Sequence, residues 1–382
     1  MKFEVRTKEF SKIIDKINPF VDKKSTIPIL KNVWIQTGSD HIKMTATNLG
    51  QAVQLICPAR IKEDGNILIG FHQLKNIVKK LKGDSLGFQK NENTVTINQD
   101  NFKIEIKYSD ILDFPILQIP EKFNGYIHID VLEMIFTKTL FAISTKLSER
   151  EVFKGVYIER KDNMLKAIAT NGYVLAIIKF VPVYNSKDFS FILPREAVVK
   201  MCKLMDFDKK KPKSGYFGEE SYIKFHWTEN KIVFKISEEK FFWANLTTGV
   251  YPKMEKAITS NYNILMKANR ERIIEILSKI YAFTAPENNG IVLDLSHNVL
   301  KISNSLTELE KKDLYLGDAS EEMKVSCDGE IKIGLNAGYL LSILQNSVGE
   351  SVEFKFIDSL SPVLICSEED KRLLFLIMPR MI

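Results

Sequence analysis

The sequence predicts an α+β fold built from three repeated domains of like fold, each with two helices and about eight short strands. Three observations predict it. One pattern of segments recurs three times, each copy holds two stretches of helical periodicity, and short alternating strands fill the rest. The repeat is seen in NVWIQTGSDHIKMTATN (32–48), GVYIERKDNMLKAIATN (155–171) and GIVLDLSHNVLKISNS (290–305). The starts Asn32, Gly155 and Gly290 are spaced by 123 and 135 residues, and the anchors Lys43, Lys166 and Lys301 have the same two spacings. Such a period is too long for a solenoid, whose units run to ~20–50 residues.

Each copy opens with a helix: KEFSKIIDKIN (8–18), DVLEMIFTKTLFAI (130–143) and ANRERIIEILSKIY (268–281). In the first, Phe10, Ile13, Ile14 and Ile17 form the apolar face, and Lys8, Lys12 and Lys16 recur at i, i+4, i+8 on another. The second helix of each copy follows a strand, in LIGFHQLKNIVKKL (68–81), ILPREAVVKMCKL (192–204) and IGLNAGYLLSIL (333–344). In 72–82, Lys75, Lys79 and Lys82 share one basic side. The later helices carry Lys138, Arg195, Lys200, Lys203, Arg270, Arg272 and Lys279, and the last carries no basic residue. Alternating strands then close each copy: TVTINQ and FKIEIKYS; YIKFHW, KIVFKIS and FFWANLT; VEFKFI, PVLICS and LLFLIM. The copies end on Phe114-Pro115, Tyr251-Pro252 and Met378-Pro379, which sets domains at 1–124, 125–256 and 257–382. A basic side on one helix is an ordinary solvated face. Five of them at equivalent repeat positions, arranged about an axis, would line one surface suited to a phosphate backbone, without base reading.

Composition narrows the class. The chain is 45% hydrophobic and 27% charged, which excludes wholesale disorder. It has no run of 18 apolar residues and no apolar signal-peptide core, so a cytoplasmic protein without a membrane span is expected. Cys57, Cys202, Cys327 and Cys366 are far apart and read as free thiols in a reducing compartment. The net charge of +6 divides as +5, +6 and −5 over the three domains, so the first and third face different partners or each other.

No phosphate-binding loop, zinc-protease, nucleophile-elbow or calcium-loop motif occurs. The histidines 41, 72, 128, 226 and 297 have no metal-ligand spacing, so no cofactor and no metal are expected. Asp110 and Asp113 form a DxxD pair that could hold a cation, or simply a turn into Phe114-Pro115. The lysine run within 206–218 reads as a solvated loop, with a nucleic-acid patch as the alternative. A binding protein without catalytic residues is therefore expected over an enzyme.

The segments MKFEV (1–5), TIPILKNV (26–33), DFPIL (113–117), ATNGYVLA (169–176), YPKM (251–254) and MPRMI (378–382) are jointly specific. With the threefold repeat they make the chain, over its whole length, resemble the β subunits of bacterial DNA polymerase III, the bacterial sliding clamps. The resemblance implies a DNA-clamp architecture in which two crescents close head to tail into a ring around duplex DNA. It implies a homodimer that holds DNA without sequence specificity. The replicative polymerase, the clamp loader and repair polymerases would be tethered through linear peptides. At the implied dimer seam stand Lys103, Ile104 and Ile106, opposite Ala282 and Phe283, with Glu308, Glu310 and Asp313 nearby. The implied peptide groove comprises Phe153, Thr170, Gly172, Tyr173, Val174, Leu175, Pro252, Ala257, Leu360, Pro362, Leu376, Ile377, Met378, Pro379, Arg380, Met381 and Ile382. Its inward strand residues are expected to be core and the final MPRMI to line the groove. DNA contacts fall to Lys24 and Lys23, Arg150, the helix residues Lys12, Lys16, Lys75 and Lys79, and Arg195. The chain departs from the family where TDGHRLA is usual: Asn171, Tyr173 and Val174 replace Asp, His and Arg. Arg380 and Met381 also stand in reversed order. Two other readings are a metal-dependent DNA-processing hydrolase using Asp110 and Asp113, and a monomeric peptide-binding scaffold.

Overall fold

The computed structural model describes residues 1–109, 111, 113–181, 187–205, 221–258, 261–287, 289–305 and 317–381. Six helices lie in it: α1 (Thr7–Ile17), α2 (Phe71–Lys80), α3 (Ile129–Thr139), α4 (Arg195–Met205), α5 (Arg270–Tyr281) and α6 (Ala337–Asn346). Each follows directly on a strand, so every copy of the repeat is two strand–helix units plus further strands. The helical periodicity sets which face is covered. In α1, Phe10, Ile14 and Ile17 are buried, and in α2, Phe71, Leu74 and Val78. Asn18-Pro19 ends α1, since proline removes a backbone donor. Asn269 and Asn336 cap α5 and α6, their side-chain oxygens accepting from Arg272 N at 2.9 Å and Tyr339 N at 3.0 Å.

Among the described residues the strands form three antiparallel sheets, and the sheets do not stop at the copy boundaries. In a thirteen-stranded sheet, Gln51–Pro58 of the first copy pairs with Lys240–Asn245, the last strand of the second, in the register Ala52↔Trp243. In a nine-stranded sheet, Val174–Phe180 of the second pairs with Leu373–Ile377, the last strand of the third, in the register Leu175↔Leu376. The same element of the repeat receives the final strand of the next copy each time. Two compact bodies result, Met1–Glu133 with Glu196–Leu246, and Met134–Arg195 with Thr247–Ile382. The central copy therefore contributes to both, a division that the repeat alone does not predict.

Alternation along the strands, with the apolar face of α1, buries the aromatic core of the first body. Phe3 stacks on Phe88 at 4.7 Å, with Phe10 at 5.3 Å from the same ring. Phe225, Phe234 and Phe242 form a similar run. Each such side chain is fully buried and contributes about 1.5–3 kcal/mol of transfer free energy. Among the described residues no helix is long and apolar enough to cross a membrane.

Candidate functional site

The residues predicted to line a peptide groove come together at one end of the nine-stranded sheet. Strands 174–180, 363–366 and 373–377 are neighbours there, so the hairpin tip 171–173, the turn 357–362 and the tail beyond Ile377 lie together. The hairpin tip is held by its own side chains. Thr170 Oγ1 donates to Val174 O at 2.7 Å and accepts from Gly172 N at 3.1 Å. Asn171 Oδ1 accepts from Tyr173 N and Val174 N, each at 3.0 Å. Gly172 has φ +86°, and an added Cβ would meet nothing, so its glycine answers to backbone conformation and not to space. In the turn, Asp358 Oδ1 accepts from Leu360 N at 2.8 Å and Ser361 N at 2.7 Å. Those bonds hold Leu360 77% exposed, and those amides lower the Asp358 pKa. Met378 N donates to Tyr173 O, and Arg380 N to Gly334 O, both at 2.8 Å. The tail is thus pinned at two points.

Below lies an apolar floor. Ile168, Leu175, Ile177, Ile192, Tyr251, Leu364 and Leu376 form one buried cluster, with Phe153, Met254, Ile258 and Tyr262 packed on it. Thr170, Val174 and Ile377 are also buried, so they belong to the core and not to the exposed surface. Pro252, Pro362, Pro379 and Arg380 are half-buried, and Gly172 and Ala257 exposed. Tyr173 (47% exposed), Leu360, Met378 (42%) and Met381 are the large apolar side chains left in solvent, a patch that calls for a partner. Tyr173, a departure from the family pattern, stacks on Tyr339 at 6.1 Å and carries Lys146 Nζ at 4.7 Å from its ring. Tyr339 and Lys146 were not singled out in sequence, because they are distant in the chain. Ile382 lies outside the described residues.

The basic candidates divide between the two bodies. In the first, α1 and α2 pack together, and Lys12 and Lys79 line one concavity with Lys8 and Lys82. Lys75 donates to Asn18 Oδ1 at 2.9 Å. Desolvation, then the charges of Lys79 and Lys23, lower its pKa, which places those three ammonium groups in one positive field. Lys16 is half-buried on α1, and Lys23 and Lys24 are exposed. In the second body, Arg150 is exposed, while Arg195 is half-buried with its Nε unpartnered. The basic residues of α5 are not free. Glu275 and Glu321 pair with both Arg272 and Lys279. The expected basic surface is thus concentrated on the first copy and weakened on the third.

Lys103, Ile104 and Ile106 lie on strand Phe102–Ser109. One edge of that strand pairs throughout with Thr94–Gln99, whereas the other, among the described residues, meets a neighbour only at Tyr108 and Ser109. Residues 102–107 therefore present an open edge. Ile106 is buried in its own core, Ile104 is half-buried, and Lys103 pairs with Glu105 at 3.0 Å. Phe102, at 46% exposed, is a further large apolar side chain on this edge. Ala282 and Phe283 follow α5 and are exposed. Glu308, Glu310, Asp313, Asp110 and the 206–218 insertion lie outside the described residues. Among the described residues, no group of three or more His, Cys, Asp or Glu could hold a metal ion.

Three family models match in order: the N-terminal domain of the DNA polymerase III β subunit over residues 1–118, the central domain over 126–253 and the C-terminal domain over 255–381. The β sliding clamp of Caulobacter vibrioides is 24% identical over 390 residues, covering 99% of each chain. Among solved structures, the DNA polymerase β subunit of Streptococcus pyogenes matches with a TM-score of 0.90 at 20% identity, over 100% of both chains. The Caulobacter crescentus β sliding clamp, with polyethylene glycol bound at a region assigned to β-motif tethering, matches with a TM-score of 0.89 at 22% identity over 100% of both. Matched by all three domain models in order, this chain belongs to the DNA polymerase III β-subunit family, the β sliding clamps, which are non-catalytic processivity subunits.

Proposed function

We propose that two copies of this chain close head to tail into a cytoplasmic ring around duplex DNA, and that the ring tethers polymerase, clamp loader and repair polymerases by peptides seated in the groove of the second body. The observation that carries the tethering is the exposure of Leu360 and Met378 above a buried apolar floor, each held in place by backbone hydrogen bonds. A pre-formed site of this kind loses little entropy on taking a short peptide. The domains are 1–124, 125–256 and 257–382. Retention is topological: a closed ring cannot leave a duplex sideways, and phosphate contacts from Lys12, Lys16, Lys23, Lys24, Lys75, Lys79, Arg150 and Arg195 remain weak enough to slide. The seam would join the open edge 102–107 to the region of Ala282, Phe283 and the acidic residues Glu308, Glu310 and Asp313. The hydrolase reading has no support in this family.

Solution mass and retention on circular DNA test the ring together. A dimer held on nicked circles, and lost when they are linearised, is expected. A monomer, or equal retention on both, overturns it. Within the dimer, Ile104→Asp with Phe283→Asp is expected to give a folded monomer, since a buried unpaired charge costs ~3–5 kcal/mol. Sedimentation as an intact dimer would place the seam elsewhere.

A further inference from the structure

The two places where a copy receives the last strand of the next are built alike, bond by bond. Thr47 Oγ1 donates to Gln51 O at 3.1 Å, as Thr170 Oγ1 does to Val174 O. Leu49 N donates to Thr47 Oγ1 at 3.0 Å, as Gly172 N does to Thr170 Oγ1. Gln51 N donates to Asn48 Oδ1 at 2.8 Å, matching Val174 N to Asn171 Oδ1. Asn245 N donates to Gly50 O at 2.8 Å, matching Met378 N to Tyr173 O. The first body thus holds the same frame that carries the groove in the second.

Beside this first frame lies a cavity of about 770 Å³, within the usual range for ligand sites. Its walls are the hairpin at Leu49, the connector from Pro115 to Glu121, and the sheet at Val233 and Trp243. Four features of it are unexplained by folding alone. Leu49 sits at φ +71° and is half-exposed, where the other junction has Gly172; a leucine in the left-handed region is strained, and strain of this kind gathers at functional positions. Ile116 and Ile119 of the connector are exposed. From Pro115 to Pro120 the connector makes one hydrogen bond among the described residues, Trp243 Nε1 donating to Gln118 O at 3.1 Å, so the amides of Ile116 to Ile119 are unpaired. On the sheet side, Lys231 has no ion pair among the described residues, and the buried Nδ1 of His226 has no partner.

We propose that this cavity is a second peptide site, taking a short extended segment that carries apolar side chains and an acidic residue. The inference rests on the reading of the other groove as a peptide site. The unpaired connector amides can accept an added strand, the apolar side chains enter against Leu49, Val233 and Trp243, and the carboxylate answers Lys231. A free apolar fragment could fill the cavity but would leave the amides and Lys231 unanswered.

The probe is the labelled pentapeptide Leu-Asp-Leu-Asp-Leu, whose leucines share one face when extended. It is titrated calorimetrically into the full chain and three variants: Leu360→Asp with Met378→Asp, which blocks the second-body groove; Leu49→Asp; and Lys231→Glu. Two sites per chain are expected, one surviving the Leu360/Met378 change. That remaining site should weaken roughly tenfold or more with Leu49→Asp or Lys231→Glu. Because Lys231 is exposed at the start of its strand, its variant holds even should Leu49→Asp fail to fold. One site only, lost with Leu360/Met378 and indifferent to Leu49 and Lys231, overturns this inference and leaves the groove reading standing. One site only, with the reverse pattern, supports the inference and overturns the groove. No binding to any form overturns both, and equal binding of a neutral Leu-Asn-Leu-Asn-Leu probe overturns the acidic preference.

Discussion

Asp370 shows how a single charge is secured near the end of the chain. Its carboxylate accepts from Arg372 Nε at 2.8 Å and Nη2 at 2.7 Å, and from Arg372 N at 3.0 Å. The Arg372 bonds hold its pKa below the usual carboxylate value, against the opposing effect of burial. A carboxyl with a depressed folded-state pKa stabilises above the unfolded pKa, and that contribution is lost as pH falls through the folded one. Asp370→Asn is therefore expected to cost about 1.5–3 kcal/mol at pH 7, by loss of charged hydrogen bonds, and much less near pH 3. Denaturant unfolding at both pH values checks it, and a penalty independent of pH would count against the ion pair. Residue roles differ in how readable they were. Gly172 and Leu360 are named as candidates by resemblance, whereas the Lys146–Tyr173–Tyr339 stack is visible in no local pattern, because its members meet only after folding.

At the level of elements, the proposed function rests on the tail and the two lysine-bearing helices. Deleting residues 378–382 removes Met378 and the Arg380–Gly334 bridge. It should lower affinity for polymerase-derived peptides by about 2–4 kcal/mol. The loss of the tail's two pinning backbone bonds, Met378 N to Tyr173 O and Arg380 N to Gly334 O, should cost stability only ~1–3 kcal/mol. Calorimetric titration beside a thermal melt separates the two, and unchanged affinity would move the groove. The lysines are not equivalent. Lys12 and Lys24 make no side-chain bond among the described residues, while Lys75 is spent partly on Asn18. Lys12→Ala or Lys24→Ala should each reduce the salt slope of DNA binding by roughly one, equally on all sequences. Lys75→Ala should reduce it less and lower stability. A sequence-dependent loss would contradict a sliding contact. Helices were legible because a 3.6-residue period and a strand before each are local signals. The pairing of α5 with Glu321 was not, since that acid lies on another strand.

For the molecule as a whole, the shared sheets matter most. The central copy, expressed alone as residues 125–256, would expose strand 240–245 without its partner 51–58, and strand 174–180 without 373–377. Two long apolar edges are an aggregation template. That fragment is expected to form oligomers by light scattering, and a monodisperse monomer would show that the copies fold independently. The three copies themselves were legible, because Lys43, Lys166 and Lys301 repeat the two spacings of Asn32, Gly155 and Gly290, one pattern written three times.

By itself, the sequence determined the α+β class, the threefold repeat, the helical faces and the family, all of which rest on local periodicity and on motifs read in order. Only the tertiary structure decided that sheets cross the copy boundaries, that the central copy is shared between two bodies, and that Ile106 is core while Phe102 is left in solvent. The physical reason is that strand pairing is non-local. A strand's pattern says which face is apolar, but not which neighbour takes up its open hydrogen bonds.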